Sequence, residues 1–325
     1  MRAWIWGIVV LGLALPVAAQ RAENSPTPTT IAHQPATPAT ASPAKPVEPK
    51  TQEAPRRKAF LWTVKSPTAA IHLFGTIHVG KREFFPLPDA VEDALKGAAK
   101  VVVEADISDA SQLGELPALM TFAPPETLEK HIPPALFARL QVQLTRLKIP
   151  PQAVNTMRPF MVAGLLAVTE YARIGYDASQ GVDAYIIKNA KASMKPVLEL
   201  ESVKGQVSML AGMSKDLQEA FLENAIAGLE RGQSTDQVIG VINAWQSGDA
   251  KLMQEVAEQA NRGMRKLDAL DDLLIHARNR DMLKKIEGFL AGNESHFVAV
   301  GSLHLTGHRG LIALLKEKGY EVTQP

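Results

Sequence analysis

Two stretches near opposite ends of the chain carry the same arrangement of residues. Residues 71–80 read Ile-His-Leu-Phe-Gly-Thr-Ile-His-Val-Gly, and residues 297–307 read Phe-Val-Ala-Val-Gly-Ser-Leu-His-Leu-Thr-Gly. In each, an apolar run suited to a buried strand is followed by Gly, two small or apolar residues, and His: Gly75-Thr76-Ile77-His78 and Gly301-Ser302-Leu303-His304. Gly after a strand lets the backbone turn tightly or lie close to a ligand. The His then emerges at the strand's carboxyl end, where open α/β sheets place their crevices. A lone His after a strand is ordinarily a satisfied structural side chain. Repetition of the whole pattern predicts instead that the two imidazoles meet in one crevice as ligand-binding groups.

Local patterning gives the strands and helices that would carry these histidines. Residues 60–64 and 70–74 read as two strands joined by a turn containing Pro67. Residues 89–99 have Val91, Ala94, Leu95 and Ala98 at helical spacing behind Pro88, and Val101, Val102 and Val103 then form a buried strand ending at Glu104. This is a β-helix-β unit with His78 at the end of one strand and Glu104 at the end of another; as parallel neighbours those strands would share one site edge. Residues 113–290 are mostly helical in pattern, including a run over 267–290, with one short strand at 196–200. A helix at 311–318 and an edge strand at 320–323 close the chain. The fold class is α/β (α+β), with a central mixed β-sheet and a large helical insertion.

Length and composition narrow the class further. Of 325 residues, 1–19 have one basic residue, an apolar run and a small-residue end at Ala18-Ala19, the form of a secretory signal peptide. An uncleaved membrane anchor is the second reading of that segment. Residues 20–58, rich in Pro, Thr and Ala, read as a disordered spacer, and residues 59–325 as the folded domain. The expected location is periplasmic or secreted. The chain has no Cys, which excludes thiol nucleophiles, zinc-thiolate sites and iron-sulfur clusters. A net charge of +1, with no basic stripe, gives no case for nucleic acid.

In order and spacing, several of these residues resemble the TraB/GumN family, which includes GumN-like proteins, pheromone-shutdown TraB proteins and Tiki-type metalloproteases. The resemblance spans nearly all of residues 60–320. It rests on residues 73–80, Pro86-Leu87-Pro88, Val102-Val103-Glu104, Gly181-Val182-Asp183, residues 196–201 with Gln206, Trp245 with Gly248-Asp249, Arg278-Asn279, and residues 300–307. It implies a fold akin to the erythromycin-esterase and ChaN-like proteins, and a metal-dependent peptidase activity that needs His78, His304 and Glu104.

The donor chemistry agrees with that implication. Two imidazoles and a carboxylate suit Mn²⁺, Co²⁺ or Zn²⁺ and leave positions open for water and substrate. Glu104 is either a ligand or the general base. Arg278 is the candidate for holding a substrate carboxylate or developing oxyanion, against the alternative of a helix-surface or interhelical ion pair. Asp183 either orients a ligand His or only occupies the first turn of its helix. Glu199 and Glu201 are candidates for further acid in the crevice. His276, His296 and His308 read as structural or exposed, His308 alone having ligand-like spacing from His304. The functional expectation is an exported metal-dependent hydrolase acting on peptides or proteins, with homo-oligomerisation open. The alternative is a non-catalytic periplasmic binding protein that sequesters a peptide or haem-like ligand in the same crevice.

Overall fold

The computed structural model describes residues 58–109, 114–232, 234–263 and 265–325. The expected leader at 1–19 and all of the expected spacer except Lys58 lie outside the described residues.

The described chain opens with an antiparallel hairpin, β1 (Leu61–Lys65) and β2 (Ala70–Thr76). Its turn is closed by the Ser66 hydroxyl, which accepts the Ala69 N–H at 2.9 Å. Helix α1 (Asp89–Gly97) buries Val91, Ala94 and Leu95 and leads to β3 (Lys100–Val103). The chain then passes through α2 (Leu116–Met120), α3 (Leu128–His131), α4 (Pro134–Arg146), α5 (Pro159–Arg173) and α6 (Val182–Ala192) to β4 (Val197–Glu199). From β4 it runs through α7 (Val203–Ala211), α8 (Lys215–Glu230), α9 (Ser234–Gln246), α10 (Ala250–Asn261) and α11 (Leu267–Asp271). A π-helical turn (Asp272–His276) and α12 (Ala277–Leu290) come next, then β5 (His296–Gly301), α13 (Leu311–Glu317) and β6 (Glu321–Thr323). The run expected as one helix over 267–290 is therefore interrupted by a π turn.

The strands form one mixed sheet in the order β4-β3-β5-β2-β1-β6. Strands β4, β3, β5 and β2 run parallel, and at one side β1 pairs antiparallel with β2 and β6 antiparallel with β1. Parallel strands covered on both faces need apolar runs, which residues 101–103 and 297–300 supply without a break and residues 71–74 supply with only the half-buried His72 among them. The chain's last parallel strand inserts between the first two, so β2 and β3 are separated by β5 rather than adjacent. The two Gly-x-x-His strands are thereby direct neighbours, with Thr76 opposite Gly301. Phe74 and Phe297 pack with ring centroids 5.7 Å apart, and each fully buried ring contributes about 1.5–3 kcal/mol.

Candidate active site

Because β3, β5 and β2 end almost level, the segments that leave them converge. His78 lies two residues past β2, Glu104 is the first residue past β3, and His304 sits in a 3₁₀ turn (Ser302–Leu305) directly after β5. Gly301 lies between the three. A Cβ built on it would stand 3.4 Å from Glu104 Oε2, 3.6 Å from His304 Cδ2 and 3.8 Å from His78 Nε2. The missing side chain thus leaves a small gap that all three functional groups face. Val241 of α9, Ser302 and Leu303 complete its lining. One turn beyond Val241, the Trp245 indole N–H donates to the Gly75 carbonyl at 2.7 Å, fixing α9 over the first motif.

Each imidazole is oriented from its far side. Asp183 Oδ2 lies 2.7 Å from His78 Nδ1, and Asp183 Oδ1 accepts from Thr76 Oγ1 at 2.6 Å. Asp183 reaches His78 because the Val182 N–H donates to the Ile77 carbonyl at 2.9 Å and starts α6 against the first motif. For His304 the partner is Asn279 Oδ1, 2.6 Å from Nδ1. Asn279 Nδ2 donates to the Arg309 carbonyl, so its Oδ1 is the acceptor and His304 Nδ1 carries the proton. The lone pair of His304 is then on Nε2, which is buried without a hydrogen-bond partner.

Glu104 is held on both oxygens. Oε2 accepts the Gly301 N–H at 3.0 Å, while Oε1 accepts from Gln206 Nε2 at 2.8 Å and from Arg278 Nη2. Burial by itself would raise the Glu104 pKa, but the Arg278 guanidinium, with His78 and the Gly301 N–H, outweighs it and holds the carboxyl well below its ordinary range. Burial and the nearby Arg278 push His304 down to about 3, so it is a neutral imidazole. For His78, burial opposes protonation, yet the Asp183 carboxylate prevails and raises the pKa.

The other expected site residues take defined places. Arg278 is buried and does not present its fork to the gap; Nε and Nη2 bind Glu201, Nη2 also binds Glu104, and Nη1 donates to the Leu274 carbonyl at 2.9 Å. Two carboxylates and a π-turn carbonyl claim its donors, and because Glu104 and Glu201 follow strands β3 and β4 the pairing is a buried one and not interhelical. Glu201 reaches that position through its N–H bond to the Glu104 carbonyl at 2.8 Å, which extends the β3–β4 pairing. Glu199 accepts the Asp106 N–H instead of facing the gap. His308 is exposed in a turn after the 3₁₀ segment, not one helical turn from His304. His296 is buried and stacks on Phe289. Asn279 was missed as a functional residue; its only sequence signal was its place beside Arg278.

Among the described residues no three His, Asp or Glu side chains stand as a ready-made metal cage. The donors nonetheless fit a divalent ion. The orphaned Nε2 of His304 needs a partner, both Nδ1 atoms are anchored as in metal-binding histidines, and the gap over Gly301 is open. Glu104 Oε2 and His304 Nε2 are 3.8 Å apart, a few tenths wider than the roughly 3.4 Å that tetrahedral coordination at about 2.1 Å requires.

With this geometry established, comparison with known proteins gives the family. The sequence pattern of the TraB/PrgY/gumN family matches residues 60–324. The chain belongs to that family. It is 29% identical over 252 residues to YbaP, an uncharacterized protein of Escherichia coli (strain K12), covering 75% of this chain and 87% of YbaP. It is 23% identical over 319 residues to the metalloprotease TIKI homolog of Amphimedon queenslandica, covering 82% of this chain and 62% of that protein. With human metalloprotease TIKI1 it shares 24% over 311 residues, 81% of this chain and 61% of that one. No solved structure matches the chain significantly. These TraB/PrgY/gumN relatives thus include proteins named as metalloproteases and one with no described activity.

Proposed function

We propose that this protein is a metal-dependent hydrolase of peptide bonds, with His78 and His304 as Nε2 ligands and Glu104 as the carboxylate. The observation that carries the reading is the pair of imidazoles from adjacent strands, each fixed at Nδ1 and turned towards the gap over Gly301. The relatives named as metalloproteases support it. A divalent ion held there supplies Lewis acidity and lowers the pKa of water. The chain's own part is to hold that ion's ligands in one protonation state and geometry. Asp183 and Asn279 fix the rings, and Arg278, Gln206 and the Gly301 N–H hold Glu104 as a carboxylate. So strongly stabilised an anion is a weak base, which favours Glu104 as ligand over proton acceptor.

The test is hydrolysis of a peptide library by the protein supplied with Mn²⁺, Co²⁺ or Zn²⁺. Metal-dependent cleavage, abolished by chelator and reduced at least about 100-fold in Glu104→Gln, is the expected result. Metal retained in both proteins with no turnover on any peptide would contradict the hydrolase and leave the binding-protein reading. Export belongs to the same proposal and rests on the apolar leader at residues 1–19. Among the described residues no helix is long and apolar enough to cross a membrane. Amino-terminal sequencing of the mature protein decides the matter: a start at Gln20 supports export with cleavage, and an intact Met1 supports the anchor.

A further inference from the structure

A second cavity, of about 410 Å³, lies among α3, α5, α7 and α8 and shares no lining residue with the gap over Gly301. That volume is in the range of small-ligand sites. Two of its polar side chains each keep one buried atom without a hydrogen-bond partner. Arg158 lies over the Phe122 ring at 5.2 Å; its Nε is buried with no acceptor, and among the described residues no carboxylate pairs with the guanidinium. Gln218 is only 7% exposed; its Nε2 donates to the Ala211 and Met213 carbonyls at 3.2 and 3.3 Å, which leaves Oε1 buried with no donor. A second cation, Lys215, lines the same cavity and is 3.8 Å from its nearest carboxylate, Glu219. The acid on the cavity wall, Glu126, is engaged by His131 at 3.0 Å, and His131 in turn stacks on Phe122.

A buried donor on a cation and a buried acceptor, both unpaired, call for a ligand with an anionic acceptor and a neighbouring N–H. We propose that this cavity binds an α-carboxylate with an adjoining N–H, as in a free amino acid or the carboxyl terminus of a peptide. Arg158 and Lys215 take the carboxylate, Gln218 Oε1 accepts the N–H, and Phe122 and Met213 form the apolar wall for the side chain. The site stands independently of the metal reading.

The test is calorimetric titration of the full-length chain with phenylalanine, N-acetylphenylalanine and N-acetylphenylalaninamide. At least one carboxylate is expected to bind, the amide-capped probe at least about tenfold more weakly, and Arg158→Gln to weaken the carboxylate at least about tenfold. Preference for the acetylated probe assigns the site to peptide termini; preference for phenylalanine assigns it to free amino acids. His78→Ala, which lies in the other site, leaves the affinity unchanged. The proposal is overturned by no binding at millimolar concentration, by equal binding of the amide-capped probe, by loss in His78→Ala, or by unchanged affinity in a folded Arg158→Gln. Should Arg158→Gln not fold, the amide-capped probe and the exposed Lys215→Gln carry the test, and indifference to both would overturn the proposal.

Discussion

At Gly301 a single hydrogen in place of a side chain keeps open the space that His78, Glu104 and His304 face. Its backbone, at φ −51° and ψ 133°, is ordinary for any residue, and an added Cβ would make only normal van der Waals contacts. Gly301→Ala is therefore expected to keep or gain up to about 1 kcal/mol of stability while losing at least about tenfold in divalent-metal affinity. Denaturant unfolding beside metal titration checks both halves. Asn279 acts through His304 by fixing its tautomer. Asn279→Ala leaves a buried Nδ1–H unpaired, with an expected cost of about 1–3 kcal/mol and a fall of about 10–100-fold in metal affinity. A variant with wild-type affinity would show that the Asn279 contact is packing alone.

At the scale of elements, the site depends on three parallel strands ending level, and much of that was legible. Val101-Val102-Val103 before Glu104 and residues 297–300 before the second Gly-x-x-His have the continuous hydrophobicity of buried parallel strands, and residues 71–74 depart from it only at His72, so their types and ends could be read locally. Their order could not, because inserting β5 between β2 and β3 is a choice among pairings over 190 residues apart in sequence. Asp183 stands in the sequence as a candidate for orienting a ligand His, but which His it meets, and that Asn279 meets His304, follow only after long helical stretches fold back. The π turn at Asp272–His276 has no local signature either, since its apolar spacing is that of an ordinary helix. Just before that turn, burial and then Asp268 raise Asp271 to about 6. A carboxyl whose folded pKa exceeds its unfolded value of 3.8 stabilises fully below that value and loses this contribution as pH rises through about 6. Asp271→Asn should thus be more stable than the parent at pH 7–8, the difference vanishing towards pH 4. Urea midpoints across that range measure it, and a constant difference would contradict the assignment.

For the molecule as a whole, the last described strand closes on the first. Strand β6 covers the outer edge of β1, and Gln324 donates to the carbonyls of Ala59 at 3.0 Å and Gly248 at 2.6 Å. Ending the chain at Gly319 removes these bonds and bares a strand edge, with an expected loss of about 2–5 kcal/mol and a greater tendency to aggregate. Unchanged unfolding and solubility would show that the β6 closure adds nothing. The same joining of distant sequence makes the gap between the two motifs, where His78 and His304 would share one ion. Titration of the purified protein with Mn²⁺, Co²⁺ and Zn²⁺, beside His78→Ala and His304→Ala variants verified as folded, is the decisive measurement. About one ion bound per chain, lost in both variants, is the predicted result. Absence of binding, or binding indifferent to both substitutions, would contradict the metal site.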